Sequence, residues 1–420
     1  MSTHRTHPRA SRRGAATTLG VITCLGLSVA PAMAMPTEGT PGQVNPGNRN
    51  SNSKPAYPVV TTGLDNPRQL AFSSNGDLYV AESGHGGSGP CIPSPDTPGL
   101  NSCFGTSGAI TRITHGRARQ VITGLPSLAP QISAQGGQLP PGAEAAGPSD
   151  VTMMGRDHIA FTIGLGSNPT NRFKFSAYSS AGHLLGTVAT SRVSPWWAPF
   201  FRTGIAGVQQ RADIAAFEAV NNPVPPAEAP DSNANALITD GNGFVVADAG
   251  ANDLLRVAPD GKTRLIATFP SATKTCPPSP QAPQSVPTSV VKGPDHAYYV
   301  SELTGFPFCQ GGSRIWKVKD GKTSVYASGL TNVTDLAFGS HGELYAVEIA
   351  QKGLLNGPIG AVVKIPRGGG DQQQVVAAGL FAPYGIALRG NTAYVTTGSI
   401  LPAAAGGGQV IKIALPQDKH

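Results

Sequence analysis

The sequence predicts an all-β fold, a six-bladed β-propeller whose blades are four-stranded antiparallel sheets. Three observations predict it: one short hairpin recurs six times, a second hairpin follows most copies, and an N-terminal run matches the ends of later repeats. The first copy is Asn66 to Gly84, NPRQLAFSSNGDLYVAESG. Two strand-like runs flank Ser74-Asn75-Gly76, and Asn-Gly supplies the positive backbone angles of a tight turn. Further copies lie at 148–165, 233–250, 287–304, 332–349 and 383–398. Each has a polar or Pro start, an apolar triplet, a Gly/Asn/Asp turn and an aromatic or β-branched run.

The second hairpins read GAITRITHGRARQVITGL, DLLRVAPDGKTRLIATF, SRIWKVKDGKTSVYASGL and AVVKIPRGGGDQQQVVAAGL. A single blade cannot cover both its faces, so such repeats are stable only stacked in a closed ring. Val59-Val60-Thr61-Thr62-Gly63-Leu64 resembles the endings VITGL, YASGL and VAAGL. It is expected to return as the outer strand of the last blade and close the ring. A β-sandwich of short strands is the alternative, but regular repetition favours the propeller.

Residues 1–34 read as a secretory signal: Arg5, Arg9, Arg12 and Arg13, an apolar run, then Ala32-Met33-Ala34 as small residues for cleavage. Ser11-Arg12-Arg13 hints at a twin-arginine route, without the aromatic and Leu expected to follow. Residues 35–56 read as a flexible exported leader, leaving 57–420 for the propeller. The formal charge of +7 falls to +3 without the signal's four arginines. With no Lys/Arg stripe interleaved with aromatics, nucleic acid is not an expected partner. No segment beyond the signal is long and apolar enough to span a bilayer. An exported monomer is expected.

Beyond Cys24, inside the signal, stand Cys91, Cys103, Cys276 and Cys309. An even count in an exported chain suggests disulfides, with three possible connectivities. Cys91 and Cys103 share one loop, and Cys276 and Cys309 flank the fourth hairpin on one face of a propeller. A zinc site is the alternative, but there is no C-x-x-C and no His beside the cysteines.

In a propeller the second strand of each blade ends where the first begins, so one face collects the long connections. These are 83–108, 125–148, 191–231, 269–287 and 349–360, and long loops on a rigid scaffold are where binding concentrates. On that face an acid recurs at the end of the second strand: Glu82, Asp248, Glu302 and Glu348, with Ile163 and Thr397 in the other two repeats. They are the candidate ligands of a hard cation such as Ca²⁺; alternatively they cap strand ends against backbone N–H groups. Arg68, Asp150, Asn235, Asp335 and Tyr384, near the starts of innermost strands, are the candidate ligand-binding residues of the channel mouth.

Five histidines, His115, His158, His183, His296 and His341, are expected in short turns of the opposite face, with only His85 on the loop face. No G-x-S-x-G elbow accompanies His85, which reads as a solvated loop residue. SGHGGSG lacks the following helix a phosphate cradle needs. The insertion at 191–231 carries SPWWAPFF at 194–201 and VQQRADIAAFEAV at 208–220, the latter with apolar residues at helical spacing. Asn221-Asn222-Pro223 stops that helix. The expectation is a helix over the channel mouth with the aromatics as its glue, and the alternative is an apolar ligand patch.

ADIAAFEAVNNP (212–223), DSNANAL (231–237) and VVADAGANDLLRV (245–257) resemble the hallmark run of the ScyD/ScyE family, named for proteins encoded with the biosynthesis of the pigment scytonemin. GLDNPRQLAF (63–72) and LYVAESG (78–84) match its first blade, and the likeness spans the mature chain. The sequence departs from the pattern at Asn233-Ala234, where Asn-Pro is expected. The resemblance implies a secreted propeller related to NHL-type and gluconolactonase-type propellers, and it carries no catalytic residues. A rigid loop-bearing scaffold without a complete catalytic constellation reads as a binding or accessory protein for a small molecule, wall glycan or protein partner. The alternative is a Ca²⁺-assisted hydrolase or lactonase at the channel mouth, in which Glu82 is the counterpart of a gluconolactonase metal ligand.

Overall fold

Six antiparallel sheets form the ring, each one repeat; five have four strands, and the first adds a short fifth, Cys91–Pro93, paired with Asn101–Cys103. The computed structural model describes residues 57–94, 100–132, 139–194, 201–223, 229–272 and 275–416. The predicted signal and leader, and most of the aromatic run at 194–201, lie outside the described residues.

Blade 1 is Pro67–Phe72, Leu78–Glu82, Asn101–Thr114 and Arg117–Pro130; blade 2 is Pro148–Met153, His158–Ile163, Thr187–Arg192 and Val208–Asp213. Blade 3 is Ala234–Asp240, Gly243–Asp248, Asp253–Val257 and Thr263–Thr268; blade 4 is Pro287–Lys292, Tyr298–Glu302, Ser313–Lys319 and Lys322–Leu330. Blade 5 is Val333–Phe338, Leu344–Glu348, Ile359–Ile365 and Gln374–Phe381. Blade 6 takes Ile386–Arg389, Thr392–Thr397 and Gly408–Ala414 from the C-terminus and Val59–Leu64 from the N-terminus, paired antiparallel with Gly408–Ile411. The expected closing strand is therefore present.

The alternating apolar residues of each strand serve two interfaces, one on each face of the blade. Buried clusters accordingly lie between blades: Phe161 and Ile110 between blades 1 and 2, Phe244 and Val188 between 2 and 3, Trp316 and Val245 between 3 and 4. Tyr299 and Leu344 join blades 4 and 5, Tyr345 and Val395 join 5 and 6, and Leu70 and Val410 join 6 and 1. First strands touch their neighbours round the ring and line its axis.

The turn of the first hairpin spans Ser73–Asp77, closed by Ser73 N–H to the Asp77 carbonyl at 2.9 Å. Only Gly76 takes positive φ, 89°, and Asn75 instead bonds Asp77 through its side chain.

Three connections differ from expectation. The segments 83–108 and 125–148 contribute one long arm, because the outer strands of blade 1 continue pairing to Ser102 and Pro130. Between the second and third strands of blade 2 lies a helix, α1 (Arg172–Tyr178), whose Phe175 stacks on Phe104 of the arm at 5.5 Å. His183 follows in that connection and so belongs to the loop face, not the opposite one. Finally, Val208–Asp213 is the outer strand of blade 2, and helix α2 begins only at Ile214, running to Asn221 with left-handed Asn222 as its stop. Because an outer strand separates them, Ser194 follows the third strand on the opposite face and α2 leaves from the loop face. Ser194 and Thr203, which flank the aromatic run, bond to Arg112 and to Val121 and Thr123 of blade 1.

Candidate functional site

The channel mouth is built by a backbone irregularity repeated in five blades. Near the start of the first strand the register with the second strand slips, between Pro67 and Leu70, Pro148 and Asp150, Ala234 and Ala236, Pro287 and Ser289, and Val333 and Asp335. Such bulges re-aim side chains. Proline suits the position before the slip because it has no N–H to leave unpaired. Two successive residues per blade then bond to neighbouring blades, where regular alternation would offer one.

The upper ring reads Arg68, Ser149, Asn235, Thr288, Thr334 and Tyr384. Asn235 is its hub: its amide oxygen accepts from Ser149 Oγ at 2.9 Å and Tyr384 Oη at 3.2 Å. Its amide nitrogen donates to the Thr288 carbonyl at 2.6 Å, which also accepts from Gln69 at 2.7 Å. Blades 1, 2, 3, 4 and 6 are thus tied through one buried amide. Arg68, half-buried, lies over the Tyr384 ring at 4.7 Å and donates to Ser83 Oγ and the Ala145 carbonyl. It makes no ion pair among the described residues.

In the next ring, Asp150 accepts from Val151 N–H at 2.7 Å and from Leu237 N–H of blade 3 at 2.8 Å. Asp335 accepts from Ser289 Oγ, Leu336 N–H and Ile386 N–H of blade 6, at 2.6 to 2.8 Å. Burial raises both acids: Asp335 is pushed up to about 7, and Asp150 well above the usual range, with the Asp335 charge adding to its rise. The structure thus brings all five predicted mouth residues into one connected arrangement, although their polar groups are largely spent on each other.

Raised acids set the sign of a pH dependence. The folded protein keeps protons that the unfolded chain releases from about pH 4 upward, so stability falls as pH rises toward 7. Glu82, pushed up to about 7 by burial, acts in the same direction. The acids held low, such as Asp240 at about 2 beside Lys292, Tyr298 and Arg256, lose their contribution only below about pH 4. The melting temperature is therefore expected to rise between pH 8 and pH 5, and Asp335→Asn to flatten that rise. A melting temperature that is constant or falls over this interval would contradict the assignment.

Each of the four strand-end acids is engaged by donors near its own blade. Glu82 accepts from Asp65 N–H at 2.6 Å and from Thr111. Asp248 accepts from Asn233 N–H at 2.6 Å, Ser232 Oγ at 2.7 Å, and Gly250 and Ala251 N–H. Glu348 accepts from Thr331 N–H at 2.7 Å, and Glu302 from Arg314 and from Trp316 Nε1 at 2.6 Å. Glu82, Asp248 and Glu348 thus fasten the chain entering a blade to that blade's second strand, the capping role a recurring acid can also play. Among the described residues no three His, Cys, Asp or Glu side chains form a ready-made metal centre.

The cysteines form disulfides Cys91–Cys103 and Cys276–Cys309, which overturns the zinc alternative. One group escaped the sequence reading. His85 Nδ1 lies 2.5 Å from Oδ2 of Asp65, whose carboxylate is buried and also accepts from Ala403 N–H. His85 is held rather than merely solvated. The pairing joins two residues on either side of a hairpin, so only the position of Asp65 at its mouth could have signalled it.

The class that fold and mouth define is the six-bladed β-propeller. No family model matches the chain, and no curated protein matches it. Among solved structures the ring is similar to virginiamycin B lyase from Staphylococcus aureus, at 12% identity, TM-score 0.41, covering 84% of this chain and 97% of that one. It is also similar to the PQQ-bound aldose sugar dehydrogenase of Streptomyces coelicolor, at 13% identity, TM-score 0.44, covering 85% and 96%. A third is a luciferin-regenerating enzyme, at 7% identity, TM-score 0.45, covering 85% and 92%. At these values the likenesses carry no argument about activity or ligand.

Proposed function

We propose that the protein is an exported binding or accessory propeller of the ScyD/ScyE type, taking its ligand at the mouth formed by Arg68 and Tyr384. The observation that carries this reading is Arg68: a half-buried guanidinium stacked on an aromatic ring, with no carboxylate paired to it among the described residues. A guanidinium so held suits a planar anion, bound through two parallel hydrogen bonds. The ligand class it favours is a small molecule or wall glycan bearing a carboxylate. Export is supported by the two disulfides, which persist in oxidising compartments. No helix of the described residues is long and apolar enough to cross a membrane.

Calorimetric titration with a panel of sugar acids and uronate oligosaccharides tests the reading. Binding to the wild type that weakens at least about tenfold in Arg68→Gln is expected, the size of one charge-assisted contact. Equal binding by both proteins, or a preference for uncharged sugars, would reject it.

A second reading, a hydrolase or lactonase at the same mouth, is favoured by the His85–Asp65 pair alone. A carboxylate on Nδ1 leaves Nε2 as the free nitrogen for proton transfer. A lactone and ester screen in which turnover vanishes in His85→Gln would establish it. The metal-assisted version asks Glu82, Asp248, Glu302 and Glu348 to share one ion, and their present bonds give it no support.

A further inference from the structure

Helix α2 and blade 3 enclose a concentration of negative charge that the mouth does not use. Glu218 projects from α2 and is 1% exposed; Asp253 opens the third strand of blade 3 and is fully buried, as is Asp248 at the end of the second. Asp231 lies on the connection between them. Both carboxylate oxygens of Glu218 and both of Asp253 have no hydrogen-bond partner. None of the ion pairs among the described residues involves Glu218, Asp248 or Asp253. Burying even one unpaired carboxylate is costly. Two, facing a third that is already fully bonded, call for either a proton or a compensating cation.

The helix is fixed in this position, so Glu218 has not drifted there. Asp213 caps it through Ala216 N–H at 2.9 Å and pairs with Arg172 of α1, while Ala215 N–H donates to the Gly186 carbonyl of blade 2. Asp248 is locked by four donors. The surrounding charge is felt by both acids: burial, followed by neighbouring carboxylates, raises Glu218 to about 7 and raises Asp253 well above its usual range.

We infer that this buried acidic cluster is a site for a hard divalent cation of the Ca²⁺ class, bound directly by Glu218 and Asp253. Asp231 and Asp248 add negative charge around it. The donor set is oxygen only, without sulfur or imidazole, which disfavours zinc and copper. Only two side chains are asked to bind directly, since among the described residues no three His, Cys, Asp or Glu form a ready-made centre. Water and main-chain oxygens then complete the shell, as the six to eight ligands of Ca²⁺ allow. Mg²⁺ demands a tighter octahedron and is expected to bind much more weakly. The site lies apart from the Arg68 mouth and stands whether or not that mouth binds a ligand.

The test uses the folded chain, stripped with chelator and desalted. Calorimetric titration with CaCl₂ should show one site per chain, and the melting temperature should climb with the logarithm of Ca²⁺ concentration. MgCl₂ should give a much smaller response. Glu218→Gln and Asp253→Asn should each abolish the Ca²⁺ response. In chelator both variants should melt at or above the wild type, because each removes a charge left uncompensated. That inversion separates an ion site from a packing role, which would lower stability under both conditions. A wild type indifferent to Ca²⁺, or variants that respond as the wild type does, would overturn the inference. Should either variant fail to fold, wild-type crystals grown with CaCl₂ decide: anomalous density between Glu218 and Asp253 supports the site, and density absent there or found elsewhere rejects it.

Discussion

A chain that begins at Asp65 is expected to lose the closed ring. Removing Val59–Leu64 strips the outer strand from Gly408–Ala414, together with the ladder that joins the two ends of the chain. Leu64 is buried between blades 6 and 1, with Val60 packed against the same cluster. Burial of one such side chain is worth about 1.5–3 kcal/mol, and each ladder hydrogen bond about 0.5–1.5 kcal/mol. The total, about 5 kcal/mol or more, is a large share of the roughly 5–15 kcal/mol that holds a folded domain. The bared strand GQVIKIA would also present an open edge to other chains. Size-exclusion chromatography and thermal melting should show aggregation and a strongly lowered transition, and a synthetic peptide spanning 57–64 should recover part of it. A truncated chain that stays monomeric at an unchanged melting temperature would show that the seam is not what holds the ring.

Asn235→Leu is expected to be the most damaging single substitution at the mouth. Leucine preserves volume but leaves the Ser149 and Tyr384 hydroxyls without their acceptor and removes one donor to the Thr288 carbonyl. Each buried polar group left unmatched costs about 1–3 kcal/mol, so a loss of about 3–5 kcal/mol in denaturant unfolding is expected. Asn235→Asp makes a sharper comparison. It keeps the acceptor but replaces the donor to Thr288 and sets a new acid beside the Asp150 and Asp335 ring, so its destabilisation should grow as pH rises from 5 to 8. Equal damage at both pH values would mean that charge in the mouth is not felt.

The ring was legible because its strands alternate with period two and its turns carry their own chemistry, as at Gly76. The seam was legible because VVTTGL shares the ending of the other outer strands. By contrast, the apolar residues of 208–220 stand at helical spacing, yet Val208–Asp213 is a strand, because Val208 and Ala212 stand four apart and an outer strand with one exposed face also permits that spacing. Helix α1 has no long apolar stripe, since Phe175 is its one buried side chain, so periodicity could not reveal it. At the mouth, residue types pointed to Asp150, Asn235 and Asp335, but their bonding depends on a register slip that no sequence period records. Glu218 was hidden for a different reason. It meets Asp248 and Asp253 only after the chain has turned from one blade into the next, although all three lie in the run that carried the family resemblance.

The seam also puts an order on events during synthesis. Val59–Leu64 leaves the ribosome before any blade exists, and its partner Gly408–Ala414 arrives with the sixth. At about 5–20 residues per second, roughly 20 seconds to over a minute separates the two. Throughout that interval the closing ladder cannot form, because its two halves have not both been made. Sealing therefore works as a proof of completeness: a product that stops short of its last blade has nothing for its first strand to grip.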